Sequence, residues 1–210
     1  QGVALDDWAD DNFDHGTLDF IGGGSLFVYS DRRPIDAARM PLFGKAPSWG
    51  PKWKAFIKEN ADRWNLATMQ KTTLPYEDNY LDLDPTVKDR LGNPVIRITA
   101  DWKDNDLKMS AYLREKMRLW FREAGAIATE DAPTGTQGPS THAIGGTRMG
   151  VNKETSTTDR WGFAHEVPNL GLMGGSVMGV SGARNPTLTI MALSWRTGEH
   201  LAKQWQSIAR

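Results

Sequence analysis

Ser140-Thr141-His142-Ala143-Ile144-Gly145-Gly146-Thr147-Arg148-Met149-Gly150 is the stretch around which this chain is organised. A second, Gly174-Gly175-Ser176-Val177-Met178, follows it and runs on to Arg184-Asn185-Pro186-Thr187 and a helix-like tail. A lone His beside a Gly pair says little. The pairing says more: a His in a Gly-rich loop, then an Asn-Pro step that opens a helix. A neutral imidazole accepts a proton near pH 7. An Asn before Pro at a helix start caps that helix and offers its side-chain amide to a ligand oxygen. The helix N-terminus behind it favours a partly negative group.

Composition narrows the function classes around that pair. The 210 residues allow one large domain, or one domain and a half, with a sizeable core. There are 25 basic and 26 acidic residues, a net charge of −1, and no long run of one sign. Phosphate contacts need a clustered basic face, so the balance argues against nucleic acid as a partner. With no Cys, this stretch supplies no disulfide, Fe–S ligand or thiol nucleophile. No apolar run approaches the roughly 18 residues of a membrane-spanning helix. The start, Gln1-Gly2-Val3-Ala4-Leu5-Asp6-Asp7, has neither Met nor a signal pattern, so the chain is expected to be a piece of a longer polypeptide. Nine Trp fit core and interface packing first, and sugar stacking where hydrogen-bonding groups stand beside a ring.

The first 20 residues are acidic and predict a solvated loop with His15 at the surface. They lack the Asp-x-Asp-x-Asp-Gly spacing of a Ca²⁺ loop. Gly22-Gly23-Gly24 lacks the Gly-x-Gly-x-x-Gly and following helix of a dinucleotide cradle, and predicts a tight turn or close backbone approach. Ser25-Leu26-Phe27-Val28-Tyr29-Ser30 predicts a strand, and Pro51 opens a short helix through Asn60. Residues 67–74, 80–84 and 94–100 predict strands, the last two joined by turn chemistry at residues 88–93. Asp82 and Asp84 alternate with Leu81 and Leu83 and predict one exposed strand face; no ligand spacing supports a metal-dependent hydrolase. Residues 104–124 predict a helix packing Leu107, Ala111, Met117, Trp120, Phe121 and Ala124, with Asp104 or Asn105 as cap and Gly125 at its end. Leu170, Leu172 and Met173 predict a short buried strand. Residues 186–206 predict a last helix packing Ile190, Leu193, Trp195, Leu201 and Trp205. His165 and His200 are expected at the surface or in packing, and Arg148 and Met149 in loop structure.

The stretch from His142 to Gly150 resembles the His-x-x-Gly-x-x-Arg-Met-Gly signature of the glucose-methanol-choline (GMC) flavoprotein oxidoreductases. Gly174–Met178 and Asn185-Pro186 resemble that family's closing segment. Upstream, Thr73-Leu74-Pro75-Tyr76, Asn79–Pro85 and Asp101–Met109 look like the branch of bacterial membrane-associated gluconate, glucose and fructose dehydrogenase large subunits. The resemblance covers roughly residues 65–205. It implies an α+β fold: an antiparallel sheet with flanking helices as substrate-binding domain over residues 1–138, and a strand-helix segment over 139–210. The latter would complete an FAD-binding domain otherwise missing from this chain.

For function, the resemblance implies oxidation of a sugar or sugar-acid hydroxyl. The family's catalytic His falls on His142, which would abstract the hydroxyl proton, and its second active-site position falls on Asn185, with hydride transfer to N5 of FAD. Gly174, Gly175, Asn185, Pro186 and Thr187 would lie against the flavin. Thr141, Tyr29 and Ser30 are candidate substrate contacts, and no metal is expected. Further implied partners are an N-terminal Rossmann-type part of the same polypeptide, a cytochrome c subunit and a small subunit. The implied location is the periplasmic face of the inner membrane, reached through those subunits. Two departures stand out: Ala143 replaces the usual Pro and Gly146 the usual Thr, and Gly174-Gly175-Ser176 stands where many members carry Asp-Ala-Ser, leaving that flavin contact to backbone groups. The other reading is a non-catalytic carbohydrate-binding or assembly module that retains the fold.

Overall fold

Leu26 pairs across the backbone with Leu5 on one side and Met69 on the other, and the first sheet grows from that register. The computed structural model describes residues 2–9, 13–14, 16–29, 35, 47–131 and 141–208. Ser30 and His15 lie outside these described residues. Strands β1 (Gly2–Leu5), β2 (Gly24–Tyr29) and β3 (Leu66–Thr73) are antiparallel neighbours in that order. The aromatic and branched run Leu26-Phe27-Val28-Tyr29 suits a pleated, half-covered surface. Both expectations for the triple glycine hold: Gly22 has φ +90°, and a Cβ on Gly24 would run into Leu113 Cδ1 and stand 2.8 Å from the Gln70 carbonyl.

Helix α1 (Gly50–Asn60) has its Pro in the first turn, as expected. Helix α2 (Asp104–Glu123) covers the sheet, with Leu26, Met109 and Leu113 fully buried and Leu5, Trp8, Phe20, Met69, Tyr112, Met117 and Trp120 packed around them. Its inner face differs from the expected one. Asp106, Met109, Ser110 and Leu113 point inward, whereas Leu107, Ala111 and Ala124 are exposed. The reason is polar: the Lys71 ammonium donates to the Asp106 carbonyl (3.0 Å) and to Ser110 Oγ (2.6 Å), so the helix buries two polar residues that a hydrophobic count assigns to water. Burial holds the Lys71 pKa below its ordinary value, with the Asp106 charge pulling the other way. Gly125 ends the helix as expected. At φ +84° it donates to the Arg122 carbonyl (3.0 Å) while Ala126 reaches Phe121 (2.9 Å), a Schellman closure.

These elements form one compact unit, residues 1–71 with 104–136; residues 72–103 and 137–210 form a second. In the second unit, Thr72 and Thr73 at the end of β3 pair with β6 (Ser181–Gly182). Strands β4 (Tyr80–Lys88) and β5 (Pro94–Thr99) form a two-stranded hairpin. Its faces are the reverse of those expected: Leu81, Leu83, Ile96 and Ile98 are exposed, and Asp82 and Asp84 are half-buried. Asp82 stands opposite Arg97 and pairs with it, while Asp84 Oδ1 accepts from the amides of Thr86 and Val87 (both 2.8 Å) at a bulge. Both carboxylates are structural, and both are held below the usual carboxylate range, Asp82 by Arg97 and Asp84 by those amides.

The segment around Leu170 is not a buried strand. Its only strand-like contact among the described residues is a bridge from Gly171 to Phe163, and Leu170 and Met173 are exposed. Helix α3 (Thr187–Ile208) closes the chain as expected, with Ile190, Leu193 and Leu201 half-buried but Trp195 and Trp205 exposed. Among the described residues no helix is long and apolar enough to cross a membrane.

Candidate active site

The loop after His142 is fixed by backbone pairing to the glycine segment downstream. Gly145, at φ +84°, turns the chain. Thr147 N then donates to the Ser176 carbonyl and Met149 N to the Val177 carbonyl, each at 2.9 Å, and Thr147 Oγ1 donates to Ser176 Oγ at 2.8 Å. Ser176 lies in a single 3-10 turn, Gly175–Val177. Thr158, fully buried, backs the loop: its carbonyl accepts from Gly150 N (2.9 Å) and its hydroxyl donates to the Thr147 carbonyl (3.2 Å). Arg148 holds the same loop through Nε to the Thr155 carbonyl (2.9 Å), the structural role expected of it.

Gly175 is where the two halves of the site meet. A Cβ there would stand 2.9 Å from the Ala143 carbonyl, 3.4 Å from Ile190 Cδ1 and 3.9 Å from Ile144 Cγ2. Ala143 adjoins His142, and Ile190 lies in the first turns of α3, just after Asn185-Pro186. The missing side chain therefore lets the imidazole loop and the Asn-bearing helix start close on one backbone point. Gly174 faces the other way: at φ +106° and ψ −168°, nothing lies within 4 Å of where its Cβ would be. That open stretch of backbone admits a flat ligand edge.

Asn185 sits one residue further out than expected. The Pro186 carbonyl accepts the first helical bond, from Ile190 N at 2.9 Å, so Pro186 occupies the cap position and Asn185 precedes it. Asn185 is exposed and His142 half-buried, so both side chains have solvent access. Upstream, Ala183 is fully buried at φ +57°, a left-handed conformation that turns the chain from β6 into Arg184 and Asn185. Thr187 is exposed as the first residue of α3, whose leading amides lack helical acceptors. Thr141 is exposed beside His142. Tyr29 ends β2 in the first unit, its exposed ring stacked on Phe27 at 6.5 Å.

Two further histidines have structural partners. His200 stacks on Trp161 (4.2 Å between ring centres), and Arg196 lies over the same indole at 4.2 Å. His165 Nε2 is 3.0 Å from Ser156 Oγ, a pair that resembles a nucleophile and its base. The Ser156 hydroxyl, however, donates to the Asn152 carbonyl at 2.6 Å. Its one proton is committed, so the imidazole donates to Ser156 rather than activating it. Among the described residues no cluster of three His, Asp or Glu side chains is arranged to hold a metal.

The sequence profile of the GMC oxidoreductases matches residues 75–194, more than half of the chain, and takes in the segment from Thr141 to Thr187. The chain belongs to the GMC oxidoreductase family. Among this family's members, the gluconate 2-dehydrogenase flavoprotein of Pantoea cypripedii is 32% identical over 97% of this chain and 34% of its own length. The 2-methyl-1,2-propanediol dehydrogenase of Mycolicibacterium austroafricanum is 33% identical over 90% of this chain and 34% of its own. The fructose dehydrogenase large subunit of Gluconobacter japonicus is 36% identical over 60% and 23%. The chain thus spans about a third of the length of the first two of these relatives. Its antiparallel sheets and helices fit the α+β class expected of this part of a GMC oxidoreductase. Thr147 with Ser176, and the strained Ala183, have no signal in the sequence; Gly175, expected against a flavin, packs against the Ala143 carbonyl and Ile190.

Proposed function

We propose that this chain carries the catalytic pair of an FAD-dependent dehydrogenase that oxidises a sugar or sugar-acid hydroxyl. The observation that supports it most is the convergence of the His142 loop and the Asn185-Pro186 helix start on Gly175. His142 takes the proton of the substrate hydroxyl, and Asn185 donates its side-chain N–H to the same oxygen and orients it. FAD, when bound, supplies the hydride acceptor that no side chain provides. The residues fit such a group: the bare backbone at Gly174 allows close approach, and the first amides of α3 favour negative charge. A relative named as a flavoprotein and another named as a large subunit support the cofactor and the presence of further subunits. A cytochrome c subunit as electron acceptor, a small subunit and a periplasmic, membrane-associated location complete the proposal.

The test uses the full-length polypeptide, wild type and His142→Ala, with a panel of sugars, sugar acids and short diols and an artificial electron acceptor. Substrate should bleach the flavin absorbance of the wild type, and loss of the imidazole should slow that bleaching by about 10²–10⁴-fold. A full-length protein without flavin would remove the enzyme and leave the carbohydrate-binding or assembly module. Equal bleaching in both would remove His142 as the base.

A further inference from the structure

Among the described residues, Ala183 is the one residue other than glycine with a positive φ, at +57°. Gly182 before it is not left-handed, and nothing lies within 4 Å of where its Cβ would be. The turn out of β6 is thus made at the residue that resists it, beside one that would adopt it freely. Strain of this kind persists only where the surroundings over-determine it. Upstream, Ser181 and Gly182 pair with Thr73 and Thr72, and both Thr72 and Ser181 are buried. Ala183 itself is fully buried, its methyl included. Downstream, the Pro186 carbonyl accepts from Ile190 N at 2.9 Å and anchors the helix end of the link.

Only Ala183, Arg184 and Asn185 join these two anchors. Proline confines Asn185, the residue before it, to extended backbone. Arg184 Nη1 donates to the Ala183 carbonyl at 3.1 Å and clips its own side chain to the turn. The left-handed well open to a residue with a Cβ is only about 20° wide in φ, whereas glycine ranges far more widely at positive φ. Two residues further on, a swing of about 20° moves the chain by up to about 2 Å. A displacement of about 1 Å at a reacting group is enough to slow a reaction about a hundred-fold. We propose that Ala183 is a positioning residue: its methyl confines the link to one direction and so aims the Asn185 amide at the substrate oxygen. The proposal rests on the reading of His142 and Asn185 as the pair that handles the substrate hydroxyl.

The test compares Ala183→Gly, Ala183→Ser and Asn185→Ala in the full-length polypeptide. Ala183→Gly releases strain and loses one buried methyl, so its urea midpoint should move little. Its rate of flavin reduction by substrate should nevertheless fall about ten-fold or more, with KM changing less than kcat. Ala183→Ser keeps the Cβ and should hold the rate within about three-fold of the wild type. In an Asn185→Ala background, Ala183→Gly should slow reduction no further. Three results would each overturn the proposal: a rate unchanged by Ala183→Gly, an equal loss in Ala183→Ser, or a loss that adds to that of Asn185→Ala. Hydrogen exchange read by mass spectrometry supplies a measurement that needs no flavin. Peptides over residues 182–190 should exchange several-fold faster in Ala183→Gly, and peptides elsewhere at the wild-type rate. Faster exchange there in a polypeptide without flavin keeps the constraint on Asn185 and removes the dehydrogenase. Unchanged exchange in a protein whose flavin is reduced by substrate does the reverse.

Discussion

Gly174 and Gly175 are adjacent and are glycine for opposite reasons. Gly175 has no room: a methyl there meets the Ala143 carbonyl at 2.9 Å and Ile190 at 3.4 Å. Gly175→Ala should therefore cost about 1–3 kcal/mol of stability and push the His142 loop off the helix start. Urea unfolding of the full-length protein measures the first, and a fall in kcat larger than the change in KM measures the second. An unchanged kcat would mean that the pair does not depend on this contact. Gly174 has ample room but the wrong backbone, since φ +106° with ψ −168° is a region held almost only by glycine. This gives physical content to the departure seen in the sequence, where many members of the family carry Asp. Gly174→Asp should restore the family's carboxylate and yet destabilise by about 1–3 kcal/mol, with no gain in FAD affinity. Unfolding curves and a flavin titration check both. Tighter FAD binding would show that the backbone relaxes to accept the side chain.

At the scale of elements, the β4–β5 hairpin is closed by carboxylates rather than by a core. Asp89 Oδ1 accepts from the amides of Leu91 (2.8 Å) and Asn93 (2.9 Å), and Gly92 completes the turn at φ +86°. The Asn93 and Leu91 amides hold the Asp89 pKa below its ordinary value. A carboxylate depressed in the folded state adds stability that is complete above the unfolded value of about 3.9 and is lost as pH falls through the lower folded one. Acid titration by NMR should therefore move the Leu91 and Asn93 amide shifts together, with a midpoint below about 3.9. A midpoint at or above that value would mean the turn does not depend on the charge. Most elements were legible because the local signals agree: a Pro in the first turn of α1, Gly125 after α2, turn residues between β4 and β5. Strand β1 was not, because Gly2–Leu5 stands in an acidic stretch that reads as a solvated loop, and the strand expected around Leu170 makes only one bridge among the described residues. Their faces were less legible. Apolar periodicity assigns an inner side only when polar residues stay outside, and Lys71 draws Asp106 and Ser110 inward. On α3 two apolar sides compete, and the sequence does not say which one this chain covers.

At the scale of the whole molecule, the proposed pair, His142 and Asn185, could be singled out because both residues lie in short motifs of the last third, and the unit formed there brings the loop after His142 and the first turns of α3 together at Gly175. The proposed cofactor site is legible only as a wall. The sequence holds no Gly-x-Gly-x-x-Gly loop before a helix, which is the device that cradles a dinucleotide pyrophosphate. What the second unit offers is bare backbone at Gly174, Gly179 and Gly182, none of which has an atom within 4 Å of its Cβ position. A pocket that binds a ligand of this size buries about 70–90% of its surface, and one wall cannot do so. The 210-residue chain alone should accordingly retain no FAD in equilibrium dialysis at concentrations of about 10 μM, typical of modest affinity. The full-length polypeptide under the same conditions should hold one FAD per chain. Far-UV circular dichroism of the short chain, showing the helices α2 and α3, guards against a trivial loss through unfolding. FAD retained by the folded short chain would mean that the helix start and the bare glycine backbone suffice to hold it, and would move the search for nucleotide contacts into this third of the protein.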